Sequence, residues 1–254
     1  MSKKGLSILG QAEVSAADAA FLTAPAEISS QQFLRAVLED ELEEVAKMIV
    51  ADDRLVRSRD ASGASALMLA VYHGLDEMVG VLRRAELPLE LPEAVAVGDL
   101  ARVKEWLDLE PSRLDEPAPD GFPPLVLAAW LGHLEILNEL LGRGADPNRA
   151  ARNPTAMTPL HAAASCRQHA AAVVATERLL ERGAALEAFE AGGFTPLHLA
   201  CAYGNTRLVE LLLERGAELG ARSDDDSSPL DLAAARGFND IVLLLERHGA
   251  ASLV

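Results

Sequence analysis

Thr195-Pro-Leu-His-Leu-Ala200 decides the fold, because close copies of this stretch recur along the chain. Copies begin at Pro123, Thr158 and Ser228, and a fainter one begins at Ser65. The starts at 123, 158, 195 and 228 are spaced by 35, 37 and 33 residues. A nearly fixed period of this length indicates a repeat architecture in which each unit packs against its neighbours.

Each copy is typical of two short helices joined by a tight turn. A Thr or Ser hydroxyl caps the first helix, and the Pro that follows fits the first helical position. A glycine nine residues past the motif start, as at Gly204, predicts the turn, and Leu208, Leu211 and Leu212 then form one apolar stripe. Gly216, in a Gly-Ala pair, ends the second helix. Turn-forming residues before the next Thr-Pro predict projecting hairpin loops.

The combined pattern, Gly-x-Thr-Pro-Leu-His-Leu-Ala, a central Gly and a Leu-rich helix ending in Gly-Ala, resembles the ankyrin repeat. The resemblance implies an all-α solenoid of about seven helix-turn-helix repeats with short β-hairpin loops, over residues 31–254. The repeats start near residues 31, 65, 89, 123, 158, 195 and 228. Residues 1–30 lack the pattern and are predicted to be an N-terminal extension with a short helix from Ser15 to Leu22. It either lies across the first repeat or remains mobile.

Two repeats depart from the pattern. Only 24 residues separate the starts at 65 and 89, and the run from Arg84 to Pro88 lacks the Gly-Ala pair, so one hairpin is predicted to be missing. Helices are then expected at about 92–97 and 100–108, with Trp106 largely buried. The extra residues around 165–172 predict longer helices or an enlarged turn in repeat five.

The two ends of the array differ in polarity. The first repeat carries Gln31, Gln32, Glu39 and Asp40, as a water-facing cap should. The last repeat shows no such conversion, and it ends in Leu253-Val254. We expect either a partly covered end or a contact with another molecule, including self-association through the C-terminal repeat.

The composition excludes several kinds of partner. With 39 acidic and 23 basic residues the formal charge is −16, so nucleic acid is not expected to bind. No apolar run reaches the length of a membrane span, so no membrane partner is expected. Two cysteines are too few for a disulfide framework and fit a reducing compartment, which favours a cytoplasmic location.

No residue pattern points to catalysis, a cofactor or a metal. The resemblance implies that His161 and His198 hydrogen-bond loop backbone beside the Thr hydroxyl, and the other histidines have no metal-ligand spacing. Cys166 lacks an identifiable oxyanion loop or third orienting residue. The run Asp224–Asp226 lacks the Gly and Glu of a calcium-binding loop and is interpreted as a solvated hairpin tip. We therefore predict that the chain is not an enzyme.

In ankyrin-like stacks, partners usually meet the hairpin tips and the concave face of the first helices. The concave positions are the two residues before each central Gly. Together with three residues at hairpin bases they are called the first-helix strip. The strip consists of Leu38, Glu39, Tyr72, His73, Ala96, Val97, Trp130, Leu131, Ser165, Cys166, Ala202, Tyr203, Ala235 and Arg236, with Phe122, Met157 and Phe194 at the hairpin bases. Exposed aromatics grouped in this way are typical of binding sites. We predict protein binding through Tyr72, Phe122, Trp130, Leu131, Met157, Phe194, Tyr203 and Arg236. The alternative is that some of these side chains pack between repeats.

Two function classes follow. The favoured one is a non-catalytic protein–protein interaction module, an adaptor or scaffold, whose acidic tips select a basic or mixed-charge partner protein. The alternative is a regulatory or effector subunit that modulates an enzyme. A thin solenoid rarely encloses the convergent pocket that an active site needs.

Overall fold

A computed structural model describes residues 28–85 and 88–251 of the chain. The predicted helix from Ser15 to Leu22 and the terminal Leu253-Val254 lie outside the described residues. The remainder forms α-helices, two 3₁₀ helices and tight turns, which agrees with the all-α expectation.

Fourteen α-helices are present within the described residues. They are α1 Ser30–Leu38, α2 Leu42–Ala51, α3 Ala66–His73, α4 Asp76–Arg83, α5 Leu91–Ala96, α6 Leu100–Leu109, α7 Pro124–Leu131, α8 Leu134–Gly142, α9 Pro159–Ala164, α10 His169–Glu181, α11 Pro196–Ala202, α12 Thr206–Glu214, α13 Pro229–Ala235 and α14 Asn239–Ala251. The 3₁₀ helices are Asp53–Arg57, after α2, and Pro111–Asp115, after α6.

The helices follow one another as seven pairs, and the repeated motif forms the start of the first helix in each of the clearest pairs. The hydroxyls of Thr158, Thr195 and Ser228 accept the backbone N–H three residues on, with Pro at the first helical position. Gly204, after α11, has a φ of 74°, which L side chains resist, and this turns the chain into α12. We propose that each pair is one repeat, which gives seven.

The pairs stack through both of their helices. Each first helix contacts the next first helix, and second helices contact second helices. The buried side chains form two apolar clusters, one extending from Phe33 to Ala184 and the other from Ala164 to Leu245. Repeat five contributes to both clusters, so it links the two halves of the core. The result is the solenoid that the repeat pattern predicts.

Successive hairpins are joined by backbone hydrogen bonds. The N–H groups of Arg152, Ala191 and Asp224 donate to carbonyl oxygens of the preceding hairpin at 2.8, 2.9 and 2.9 Å. These loops are too short to form strands, and in the part of the chain that the structure describes the β structure amounts to one isolated bridge, between Arg59 and Ser65. The predicted β-hairpin loops are therefore tight turns stacked on one another.

The described residues between α4 and α5, at the start of repeat three, form no hairpin, and the hairpins of repeats two and four meet. A Cβ placed on Gly63, in the second repeat, would lie 2.8 Å from Cβ of Pro119, in the fourth. The second helices α4 and α6 contact each other more sparsely than other neighbouring second helices. A cavity of about 630 Å³ opens there, with Leu82 and Leu89 among its lining residues. The hairpins of repeats two and four thus meet at this point, while the second helices α4 and α6 are loosely packed against each other.

Trp106, in α6, is partly buried and packs against the first apolar cluster. The guanidinium groups of Arg102 and Arg113 lie over its ring, with their carbons Cζ 5.2 and 4.9 Å from the ring centroid. Its Nε1–H donates to the carbonyl of Leu89 at 2.9 Å. The indole therefore contacts the apolar cluster and is also covered by charged side chains that remain partly in water.

The extra residues of repeat five lengthen its second helix. α10 has 13 residues, whereas α8 and α12 have 9 each, and the residues from Ser165 to Gln168 form the turn before it. In repeat seven, Asp231 occupies the histidine position of the motif and is exposed. Its Oδ2 accepts from the N–H and the hydroxyl of Ser228 at 2.8 and 2.6 Å. Asp231 thus bonds the N-cap residue as the histidine does in other repeats, although no further repeat follows it in the described chain.

Candidate interaction surface

The structure places the eight predicted binding residues at two kinds of position. Tyr72, Trp130 and Leu131 lie in the last turn of a first helix, and Tyr203 and Arg236 are the C-caps of α11 and α13. The other three lie at hairpin bases, where their carbonyl oxygens accept the hydrogen bond that closes the hairpin: Phe122, Met157 and Phe194. Helix ends and hairpin bases thus carry the whole set.

Three of the eight side chains form one aromatic cluster. The ring centroid of Tyr72 lies 5.2 Å from that of Trp130 and 6.2 Å from that of Phe122. Phe122 and Trp130 stack with centroids 6.2 Å apart. All three are half-buried. Since Tyr72 belongs to the second repeat and the other two to the fourth, the cluster bridges the repeat that lacks a hairpin.

Asp120 completes this cluster, although sequence reasoning did not select it. The hydroxyl of Tyr72 donates to Asp120 Oδ2 at 2.7 Å, and Asp120 is only 6% exposed. Burial and the neighbouring carboxylate hold the pKa of the Tyr72 hydroxyl well above its usual value. In the sequence, Asp120-Gly121 indicates a turn and nothing more. The pairing arises from the missing hairpin, which brings the two repeats together.

The other five predicted residues do not form a single cluster. Tyr203 is 47% exposed, and its hydroxyl has no hydrogen-bond partner among the described residues. Phe194 packs edge-on against His198 with ring centres 5.8 Å apart. Met157 and Leu131 are half-buried against the first apolar cluster. Arg236 is exposed.

The two motif histidines hold neighbouring repeats together, as the resemblance implied. Nε2 of His161 lies 3.0 Å from the carbonyl oxygen of Phe194, and Nε2 of His198 lies 3.1 Å from that of Ser227. A carbonyl oxygen only accepts, so Nε2 carries the proton and Nδ1 faces the Thr hydroxyl. Burial lowers the pKa of His161 to about 4 and lowers that of His198 too. Both are neutral structural groups at physiological pH.

The side chains able to carry chemistry are dispersed or inert. Both thiols are buried, and burial raises the pKa of Cys166 and brings that of Cys201 to about 12, so neither is an activated nucleophile. No group of three or more His, Cys, Asp or Glu residues within 28–85 and 88–251 is placed to hold a metal ion. Burial raises the pKa of Glu190 to about 7. None of the described helices has the length and apolar character needed to span a membrane.

Paired helices, hairpin turns and a capping histidine that reaches the next unit define a helical-repeat solenoid. A family model described as ankyrin repeats in three copies matches residues 91–186, 125–223 and 175–252, which together cover well over half of the chain. The chain belongs to the ankyrin-repeat family. Ankyrin repeats are generally protein–protein interaction modules, and the family is typically non-catalytic.

A human relative carries a similar segment. Neurogenic locus notch homolog protein 4 of Homo sapiens is 39% identical over 108 residues, which is 37% of this chain. The chain spans about 5% of the length of that relative.

Proposed function

We propose that the protein is a non-catalytic adaptor or scaffold that binds a partner protein along the first-helix strip and the adjoining hairpin tips, in the cytoplasm. The observation that carries this proposal is the exposure of the Tyr203 side chain. This large aromatic side chain is almost half exposed at a helix end, and its hydroxyl makes no hydrogen bond within the described residues. Tyrosine in such a position offers a large contact area and a polar group at little cost in side-chain entropy.

The aromatic cluster supports the proposal in a different way. Because Tyr72, Phe122 and Trp130 contact one another, each is fixed before a partner arrives. A rigid surface loses little conformational entropy on binding. The exposed parts of these rings would therefore serve as a preformed platform, while Tyr203 makes the more adaptable contact.

The contacts of Trp130 change how the proposal should be tested. A double substitution of Trp130 and Tyr203 by alanine would not separate binding from folding. Trp130 packs against Tyr72 and Phe122, so its loss is expected to reduce stability as well as binding. Binding and folding are best separated at Tyr203 alone.

The experiment is affinity capture from the native source with mass spectrometry, followed by measurement of the affinity for the partner recovered. Tyr203→Ala should weaken binding by about 2 kcal/mol, roughly thirtyfold, with an unchanged melt. Leu109→Ala is the control, since Leu109 is a 75% exposed apolar residue at the end of the second helix α6, away from the strip and the hairpins. Equal affinities for the parent and Tyr203→Ala would place the partner's site elsewhere.

A further inference from the structure

The extended turn of repeat five places an arginine beside the first-helix strip. Cys166 is buried, and Gln168 Nε2 donates to the carbonyl of Leu131 at 3.1 Å, so the turn is held on both sides of Arg167. Arg167 itself is exposed. Its Nη1 lies 3.9 Å from the position that a Cβ on Gly74 would occupy. The side chain therefore reaches from repeat five past the end of α7 to the end of α3.

This arginine has no partner within the described residues. It makes no side-chain hydrogen bond and has no carboxylate oxygen within 4.0 Å, although Asp76 and Glu77 begin the helix after Gly74. Several other arginines of this acidic chain are paired with carboxylates, for example Arg143 with Asp108 and Glu139 at 2.7 Å. Arg167 instead offers an unpaired guanidinium beside the first-helix strip.

The charges on the strip favour an anionic ligand group. Glu39 is paired with Arg35 at 2.8 Å, and the nearby carboxylate of Asp120 is buried beneath the Tyr72 hydroxyl. On the strip itself, Arg236 is the permanently charged residue without an ion pair within the described residues, and Arg167, beside the strip, is also unpaired. Both are positive, in a chain whose formal charge is −16. The exposed carboxylates of Asp76 and Glu77 lie farther on, in the first turn of α4.

We infer that the partner's bound segment presents an acidic side chain to Arg167, next to an apolar side chain that packs on the exposed edge of Trp130 and Leu131. This inference rests on the proposed function and names the chemistry of its ligand. Guanidinium binds carboxylate through two parallel hydrogen bonds, which fix orientation as well as adding attraction. The net charge of the chain repels a strongly acidic partner at long range. The partner is therefore a mixed-charge protein with an isolated acidic residue in its bound segment.

The test is selection of random linear peptides displayed on phage against the parent protein, Arg167→Glu and Arg215→Glu. Arg215 is exposed at the C-cap of α12 and unpaired in the described chain, so it is the matched control. The parent and Arg215→Glu should enrich peptides with Asp or Glu beside a large apolar residue. Arg167→Glu should lose these peptides and select Lys or Arg at the same place. A selected peptide should bind Arg167→Glu at least about tenfold more weakly than it binds the parent.

The outcomes separate this inference from the proposed function. Selected peptides that depend on Tyr203 but show no acidic preference, or that bind Arg167→Glu unchanged, would overturn the role of Arg167 and leave the strip as a binding surface. If no peptide is enriched whose binding falls in Tyr203→Ala, both proposals fail. Thermal melts of each variant show that these exposed substitutions leave the fold intact.

Discussion

Tyr72 and Asp120 are 48 residues apart in the chain, and a hydrogen bond of 2.7 Å joins them. The bond crosses from the second repeat to the fourth, over the repeat that has no hairpin. It sits at the centre of the aromatic cluster through which the two repeats meet. Part of the candidate interaction surface is therefore also the joint that sets the geometry of the solenoid.

Removal of the Tyr72 hydroxyl should weaken this joint. In Tyr72→Phe, the buried Asp120 carboxylate loses its short hydrogen bond, and we expect a loss of about 2 kcal/mol in the free energy of unfolding. Urea denaturation measures this. Tyr203→Phe removes a hydroxyl with no partner within the described residues and should change stability by less than about 0.5 kcal/mol. Similar losses in both variants would show that the bond to Asp120 does not stabilise the fold.

The contact between the second and fourth hairpins can be tested with two glycines of similar φ. Gly63 has a φ of 95° and faces Pro119, whereas Gly216 has a φ of 90° and has open space at its Cβ position. Gly216→Ala should cost about 1 kcal/mol for its backbone conformation alone. Gly63→Ala also forces the hairpins apart and should cost about 3 kcal/mol. Equal unfolding midpoints in denaturant would mean that the hairpins do not press together at Pro119.

Glu190 should make stability depend on pH in a defined direction. Its Oε2 is buried without a hydrogen-bond partner among the described residues, and its pKa is raised to about 7 from an ordinary value of 4.5. Between these two values the native state binds more protons than the unfolded chain, so the contribution of Glu190 to stability falls as pH rises. Glu190→Gln removes this dependence.

We expect Glu190→Gln to match the parent near pH 4.5 and to exceed it by about 1–2 kcal/mol at pH 8, after allowance for the partial exposure of this residue. Denaturant titrations of both proteins across this range provide the measurement. Glu214→Gln, at an exposed site on α12, is the control and should show no such divergence. A constant difference between Glu190→Gln and the parent at all pH values would contradict the raised pKa.

Trp106 should stabilise repeat three less than a fully buried tryptophan would. Trp106→Ala is expected to cost about 2 kcal/mol, below the 3 kcal/mol or more typical of a core tryptophan, because arginines cover the ring. Trp106→Phe should cost about 1 kcal/mol through loss of the hydrogen bond to Leu89. Leu109→Ala, at a 75% exposed site on the same helix, should be nearly neutral. An unfolding midpoint unchanged in Trp106→Ala would exclude a stabilising role for the indole.

The predictable features were those that repeat. The motif copies placed the caps and the paired helices, because each rests on a local rule that recurs with the period. The bonds of His161 and His198 followed from the resemblance to the ankyrin repeat. Tyr72 and Asp120 escaped prediction, because their contact depends on how far two repeats approach when a third lacks its hairpin. Similarly, the partial burial of Trp106 depends on two arginine side chains that lie over its ring, and the repeat pattern does not predict their positions.

In the hairpins of repeats five to seven, one backbone N–H donates to the preceding hairpin, and in repeat four the equivalent residue is Pro119. Proline has no backbone N–H and cannot donate this hydrogen bond. Within the described residues, no main-chain hydrogen bond joins the hairpins of repeats two and four. The junction rests on the Tyr72–Asp120 hydrogen bond, the aromatic contacts and the packing of Gly63 against Pro119. The junction between repeats two and four therefore depends on a few individual residues, where the other hairpin junctions are held by the main chain. A related chain could straighten or tighten its groove here by exchanging one tyrosine or one aspartate, with every helix left in place.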